Sequence, residues 1–210
     1  MKPEPQKLSL AHESLTIAYR EKFIRDSLNE SAETKKRILA QCARDIGKAV
    51  DIIIDALNKR RKILLCGNGG SAADCQHIAT EFVIRMSHDI QRPAIPAIAL
   101  TTDTSNLTAG SNDIGFENVF ARSIEALGNS GDVLIAVSTS GKSENINRAL
   151  QKAREKGLVS IGLLGKDGGR AKTLCDHAII VPSDDTQRIQ EGHITIGHII
   201  CGLVEKEMYS

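Results

Sequence analysis

The stretch KILLCGNGGSAADCQHIATEF, residues 62–82, decides the fold. Its opening run, residues 62–66, is mostly apolar on both faces, which is typical of a buried parallel strand. A glycine-bearing loop follows, and the apolar spacing beyond it predicts a helix over residues 71–87. A strand, a loop and a helix in this order predict one βα unit of a parallel sheet.

The alternation of strand and helix continues to the C-terminus. We predict four further strands at residues 94–100, 133–137, 158–164 and 177–181, and helices at residues 115–127, 143–156 and 186–208. Upstream, residues 13–60 have apolar positions close to a 3.6-residue period and predict a helical lead-in, with a capping start at Asn29–Glu33. The predicted fold is a doubly wound, mostly parallel five-stranded α/β sheet flanked by helices. We expect one domain, in which residues 1–60 form the helical segment and residues 61–210 the α/β core.

The composition is that of an ordinary globular protein. Of the 210 residues, 41% are hydrophobic and 25% are charged, which excludes disorder over most of the chain. The formal net charge of +1 provides no basic field for nucleic acid or an anionic membrane. Aromatic residues make up only 3%, too few for a platform on which bases stack. We therefore expect neither nucleic acid nor a membrane as a partner.

The sequence also predicts a cytoplasmic protein. Residues 1–10 are polar and hold no apolar stretch of the kind that export signals have. The longest apolar runs, such as residues 133–137, are too short to cross a bilayer. The five cysteines are an odd number without the spacing of a disulfide framework or a CxxC metal pair, so we expect reduced thiols.

The first candidate ligand loop is residues 66–71, which we call the glycine loop. Open α/β sheets bind ligands at the carboxyl ends of their strands, and here the following helix offers free N–H groups to an anion. Gly67-x-Gly69-x-x-Ala72 also fits a dinucleotide fingerprint, but the acidic residue at the right distance, Asp89, precedes the second strand. A nicotinamide site and a plain glycine turn remain as alternatives.

The second candidate, residues 138–143 or STSGKS, we call the hydroxyl loop. Its four hydroxyl groups precede a helix, and this composition suits phosphate. Ala136-x-x-x-x-Gly141-Lys142-Ser143 also resembles a relaxed P-loop of a nucleotide triphosphatase or kinase, although that loop normally begins with glycine. A solvated serine-rich turn is the third interpretation.

A third polar loop is predicted over residues 101–113. Its Asn112 and Asp113 offer amide and carboxylate groups that match the vicinal hydroxyls of a sugar. The same residue types commonly form turns, so both interpretations stay open.

Candidate metal ligands lie on two predicted helices. His77 and Glu81 are four residues apart and share one helix face, as zinc ligands or as a surface hydrogen bond. The last helix carries Gln190 and His198, and His198 lies among isoleucines, where it needs a partner as a ligand or as a core histidine. Eight residues separate Gln190 from His198, about 12 Å of helix rise, which is too far for one ion. If both bind the same metal, Gln190 lies at a frayed helix start or the two come from different subunits.

The ordered series of motifs resembles the phosphoheptose isomerases of the sugar isomerase (SIS) family, from about residue 15 to the C-terminus. The motifs are CGNGGSAAD (66–74), QH (76–77) with Glu81, PAIAL (96–100), SNDIGF (111–116), GDVL (131–134), STSG (138–141), GKDGG (165–169), RIQEGH (188–193) and His198. The resemblance implies the SIS fold and a homotetramer with active sites between subunits. It also implies an aldose–ketose isomerase that converts D-sedoheptulose 7-phosphate to D-glycero-D-manno-heptose 7-phosphate in bacterial heptose biosynthesis, toward lipopolysaccharide.

The resemblance further implies the residues of the site. The family's ligands for one zinc ion per subunit correspond to His77, Glu81, Gln190 and His198. Its catalytic pair corresponds to Glu81 and His198. The substrate contacts match Asn68, Gly69, Gly70, Ser71, Glu81, Asn112, Asp113, Ser138, Thr139, Ser140, Ser143 and Gln190. In such a reaction a carboxylate moves the carbon-bound proton, an imidazole moves a proton between oxygens, and zinc polarises those oxygens. A zinc-bound glutamate is a poor base, so two roles for the ion remain as alternatives, a catalytic one and a structural one.

Two positions depart from the family pattern. Lys142 stands in the hydroxyl loop where the family usually has Asn, and it either adds a charge for the phosphate or points into solvent. Gln187 stands where some members carry Asp. Some SIS relatives are non-catalytic regulators or adaptors that bind the bacterial replication initiator, and these lack the paired metal residues that this sequence retains.

Overall fold

The structure, a computed structural model, describes residues 17–210 and has one parallel sheet at its centre. The strands are β1 (Ile63–Gly67), β2 (Ala97–Ala99), β3 (Val133–Ser138), β4 (Val159–Gly165) and β5 (His177–Val181). Their order is β2-β1-β3-β4-β5, and every pair of neighbours is parallel. The predicted doubly wound five-stranded sheet is confirmed.

Helices cover both faces of the sheet. They are α1 (Ile17–Asn58), α2 (Gly70–Val83), α3 (Thr104–Ile114), α4 (Val119–Leu127), α5 (Glu144–Glu155), α6 (Ala171–Leu174) and α7 (Thr186–Tyr209), with a 3-10 turn at Phe116–Asn118 before α4. Ile63 of β1 belongs to the core cluster with α1, α2 and α7, whereas Leu64 belongs to the cluster with α4 and α5. The alternation follows from the two-residue repeat of a strand. All residues of β1 and β3 are buried, which explains why their sequences are apolar up to the terminal Ser138 of β3.

The helical lead-in is one continuous helix. The predicted capping start at Asn29–Glu33 is wrong, because α1 runs through these residues from Ile17. No glycine or proline interrupts the sequence between residues 17 and 46, so the helix has no local reason to begin at residue 29. Residues 13–16 of the predicted helix and the N-terminal tail, residues 1–10, lie outside the described residues.

The third polar loop is mostly helix, contrary to the prediction. The side chain of Asp103 accepts a hydrogen bond from the N–H of Asn106 at 3.0 Å and caps α3. This helix is rich in Thr, Ser, Asn and Gly, which are weak helix formers, and it has no buried residue to produce an apolar stripe. Its sequence therefore carries no helical signal.

Other boundaries moved by a few residues. The strand predicted at residues 94–100 shortens to β2, an edge strand preceded by Pro93 and Pro96, which lack the N–H group that a ladder needs. The helix predicted to reach residue 87 ends at Val83, and the short α6 was not predicted. Within residues 17–210, no helix is both long and apolar enough to span a membrane.

Candidate active site

The glycine loop and the hydroxyl loop open side by side at the carboxyl edge of the sheet. They follow β1 and β3, which are neighbouring parallel strands with Gly67 paired to Val137. The hydroxyl loop turns at Gly141, whose φ is 62° and where a Cβ would lie 1.9 Å from the carbonyl oxygen of Gly168. Only glycine fits this contact, so the turn is held against the loop after β4.

A cavity of about 650 Å³ adjoins the glycine loop. Asn68 and Gly69 line it on one side, and Asn112 of α3 lines it together with Phe116 and Phe120. The side-chain amide of Asn112 donates to the carboxylate of Asp113 at 2.7 Å. Three predicted substrate residues therefore surround one cavity, whose size and mixture of polar and apolar groups suit a small polar ligand.

The hydroxyl loop has the local geometry of an anion site. Ser138 is buried and its Oγ accepts the N–H of Gly141 at 3.1 Å, whereas the Oγ of Ser140 accepts the N–H of Lys142 at 3.2 Å. Ser143 stands at the N-cap of α5 and makes no side-chain capping bond. The N-cap hydroxyl of Ser143 is therefore not engaged by the helix, and the positive end of α5 adjoins the loop, which favours an anion there.

Lys142 lies beside a carboxylate at the edge of this loop. Its side chain is exposed. The N–H of Gly169 and then the charge of Lys142 lower the pKa of Asp167, although slight burial opposes the shift. The charge of Lys142 therefore acts on Asp167.

His77, Glu81 and His198 meet between α2 and α7. His77 Nε2 lies 2.7 Å from His198 Nε2 and 3.3 Å from Glu81 Oε1. The two helices approach closely because position 197 is glycine, where a Cβ would lie 2.6 Å from Cδ1 of Ile78. One donor atom from each of the three residues lies within 4.8 Å of the others. Two imidazole nitrogens and a carboxylate oxygen are donors that Zn²⁺ accepts, so this set fits zinc and leaves a position open.

Asp74 is a neighbour of this cluster that the sequence did not single out. It lies one helical turn before His77 on α2, and its Oδ2 is buried without a hydrogen-bond partner among the described residues. Burial raises the pKa of Asp74, while the nearby His77 and His198 act in the opposite direction. A carboxylate in this position suits the orientation of an imidazole ligand. The available signal was the spacing of Asp74, His77 and Glu81 along one helix face.

Within one chain, Gln190 lies away from the cluster of His77, Glu81 and His198. Its side-chain Nε2 lies 2.5 Å from where a Cβ on Gly70 would be, so it faces the start of α2. Gly70 precedes His77 by about 10 Å of helix rise, and Gln190 precedes His198 by about 12 Å. The start of α7 is not frayed, since Asp185 accepts the N–H of residue 187 at 2.7 Å and caps a regular helix. The sequence left two arrangements for a metal bound by both Gln190 and His198, a frayed helix start or two subunits. Only the arrangement with ligands from different subunits remains.

His193, also on α7, is a core histidine. Its side chain is fully buried and its Nε2 lies 2.9 Å from the carbonyl oxygen of Leu164. Burial lowers the pKa of His193 to about 4, although the Leu164 hydrogen bond opposes this shift. The imidazole is therefore neutral at physiological pH and donates to Leu164.

Comparison with known proteins identifies close relatives. Residues 27–165 match the family model of the SIS domain. The phosphoheptose isomerase of Clostridium acetobutylicum is 54% identical over 189 residues, which cover 89% of this chain and 95% of that protein. That of Burkholderia pseudomallei is 50% identical, with the same shares covered. Among solved structures, phosphoheptose isomerase GmhA from Neisseria gonorrhoeae has a TM-score of 0.84 and 39% identity, over 89% of this chain and 98% of that one. A phosphoheptose isomerase from Francisella tularensis has a TM-score of 0.86 and 33% identity, over the same shares.

Proposed function

The chain belongs to the SIS domain family and is a sugar phosphate isomerase of its phosphoheptose isomerase group, and from this premise we propose that it converts D-sedoheptulose 7-phosphate to D-glycero-D-manno-heptose 7-phosphate. The observation that carries the proposal is the meeting of Glu81 and His198, with His77, in one cluster at the end of α2. We expect non-catalytic SIS relatives to lack these paired residues, so the cluster favours the enzyme.

The reaction moves a proton between neighbouring carbons of the open-chain sugar through an enediol. The carboxylate of Glu81 removes the proton from C1 of the ketose and returns it to C2. The imidazole of His198 moves a proton between the oxygens on the same two carbons. His77, Glu81 and His198, with Gln190 of the partner subunit, would hold a zinc ion that polarises those oxygens, and Glu81 would serve as the base while its carboxylate is off the ion.

The two loops hold opposite ends of the substrate. Because Gly70 precedes Glu81 by about 16 Å of helix rise, the sugar that they hold reacts with Glu81 and His198 of the partner subunit. Asn68, Gly69, Gly70 and Ser71 of the glycine loop, with Asn112, Asp113 and Gln190, bind the sugar hydroxyls. Ser138, Thr139, Ser140 and Ser143 of the hydroxyl loop bind the phosphate through their hydroxyl groups and the positive end of α5. The cavity of about 650 Å³ beside the glycine loop is large enough for the seven-carbon sugar, and the hydroxyl loop, whose residues do not line this cavity, takes the phosphate.

We further propose a homotetramer with active sites between subunits. The helix α1 exposes large apolar side chains, with Phe23 at 62%, Leu28 at 66% and Leu39 at 73%, and such a surface favours association. The separation of Gln190 from the cluster within one chain also requires a second subunit for a four-ligand site. All five cysteines are free and buried, which agrees with a reducing cytoplasm. We propose that the product enters the heptose biosynthesis of bacteria, toward lipopolysaccharide.

An isomerase assay tests the proposal. Purified protein with zinc is incubated with D-sedoheptulose 7-phosphate, and the aldoheptose phosphate is measured by chromatography and mass spectrometry. We expect conversion by the native chain and a loss of several orders of magnitude in kcat for Glu81→Gln and for His198→Gln. Glu207→Gln, an exposed change at the end of α7, is the control and keeps full activity. Absence of product from the zinc-supplied native chain would refute the proposed function.

A further inference from the structure

A reciprocal pair of hydrogen bonds joins the glycine loop to the helix that follows the hydroxyl loop. Asn68 Nδ2 donates to Asn145 Oδ1 at 2.9 Å, and Asn145 Nδ2 donates back to Asn68 Oδ1 at 2.8 Å. Asn145 is the second residue of α5 and is only 4% exposed. The amide pair therefore links two segments that are 77 residues apart in the chain.

The side chain of Asn145 is fully engaged. Its Oδ1 also accepts the N–H of Ile146 at 2.9 Å, which satisfies one of the free N–H groups at the start of α5. The carboxylate of an aspartate, which has the same length, would also accept that N–H. The reciprocal pair suits an amide, because a carboxylate cannot donate to Asn68, and a hydroxyl has a single oxygen where the pair uses separate donor and acceptor atoms. The choice of residue thus follows from the contact with Asn68 and not from the helix start.

Asn145 does not line the cavity, whereas Asn68 does. We propose that Asn145 is a positioning residue, which fixes the glycine loop and its bound sugar relative to the hydroxyl loop and its bound phosphate; the inference rests on the proposed function. Binding of the phosphate holds the reacting carbons in place only if the two loops keep a fixed distance. The amide pair supplies that connection between the segments that follow β1 and β3.

The test compares two buried asparagines of the same helix. Asn145→Ala breaks the amide pair, whereas Asn147→Ala, the matched control, removes a side chain that is 2% exposed and takes no part in that pair. For Asn145→Ala we expect kcat to fall at least about tenfold, because a displaced reacting group loses rate steeply. The KM for D-sedoheptulose 7-phosphate and the inhibition constant for inorganic phosphate stay within about threefold, because the hydroxyl loop is intact. Asn147→Ala keeps kcat near the native value.

A double variant tests whether Asn145 acts through Asn68. If it does, Asn68→Ala with Asn145→Ala has the same kcat as Asn68→Ala alone, because the partner of Asn145 is already absent. Multiplication of the two separate losses would overturn the inference. So would an unchanged kcat in Asn145→Ala, or a weakening of phosphate inhibition that parallels the loss of kcat.

A second readout does not depend on the reaction. Amide hydrogen exchange over the glycine loop is expected to become faster in Asn145→Ala and to stay unchanged in Asn147→Ala. Equal exchange in both variants and the native chain would overturn the inference, whatever the activity. An inactive native chain with faster exchange in Asn145→Ala would refute the proposed function and leave the loop connection standing.

Discussion

A buried ion pair supports the end of α2 that carries Glu81. Arg92 Nε lies 2.7 Å from Glu205 Oε1, and both side chains are 1% exposed. Arg92 also donates to the carbonyl oxygens of Glu81 at 2.7 Å and Phe82 at 2.8 Å, and Glu205 accepts the N–H of Ser87 at 2.7 Å. Arg92 therefore connects α7, the segment before β2 and the last turn of α2.

We expect Arg92→Met to destabilise the protein strongly. The substitution leaves Glu205 as an unpaired charge in the interior, and removal of one partner from a buried pair costs about 3–5 kcal/mol. For a protein of this size each 1 kcal/mol corresponds to about 2–4 °C in the melting temperature. The expected decrease in Tm is therefore about 6–20 °C. The carbonyl groups at Glu81 and Phe82 lose their donor at the same time, which adds to the loss.

Thermal unfolding followed by circular dichroism at one fixed protein concentration measures this effect. Lys59→Met is the control, because Lys59 and Asp55 form a pair on α1 in which both side chains are 64% exposed. Exposed pairs contribute at most about 1 kcal/mol, so its Tm changes by a few degrees at most. Equal Tm values for Arg92→Met and Lys59→Met would refute the assignment of a structural charge pair to Arg92 and Glu205.

Three further predictions concern pH, metal and helix packing. The pKa of His193 is lowered from 6.5 to about 4. Its contribution to the free energy of unfolding is therefore full above pH 6.5 and is lost as pH falls toward 4, by up to about 3 kcal/mol. His193→Gln is expected to reduce this pH dependence in urea unfolding measured across the same range. Removal of zinc with a chelator abolishes isomerase activity, and added zinc restores it, because His77, Glu81 and His198 lose the ion that their donor atoms fit. Gly197→Ala weakens zinc binding in a competition titration with a chromophoric chelator, because its Cβ meets Ile78 and separates α2 from α7.

Each of these predictions has a contradicting result. Parallel stability slopes for native and His193→Gln proteins between pH 6.5 and 4 would show that the histidine does not titrate as described. Full activity after verified removal of metal would leave the ion without a role in the reaction. Native zinc affinity in Gly197→Ala would show that the close approach of the helices does not set the cluster.

The strands and long helices were predictable because their burial produces a regular pattern. β1 and β3 are buried on both faces, so their apolar runs are continuous, and the apolar period of about 3.6 residues in α1 reflects one covered face. α3 was missed because it covers no core, and its weak helix formers depend on the Asp103 cap. Apolar patterns in the sequence thus reflect burial, and an element without buried residues has no such pattern from which it could be predicted.

The candidate site shows the same division between local and distant information. His77 and Glu81 were predicted as a pair because four residues bring two side chains together on any helix. His198 is 121 residues from His77, and Asn145 is 77 residues from Asn68, so only the packing of α2 against α7 and of β1 against β3 creates these contacts. The residue types were visible in the sequence, whereas the contacts required the fold.

The central claim is that Glu81 transfers a carbon-bound proton of the sugar phosphate. Proton NMR of the reaction in deuterated water tests it most directly. After many turnovers with zinc, the native chain is expected to place solvent deuterium on C2 of the aldoheptose phosphate, whereas Glu81→Gln forms neither product nor deuterated sugar. Product that stays free of deuterium after many turnovers, or deuterium incorporation by Glu81→Gln at the native rate, would contradict the account.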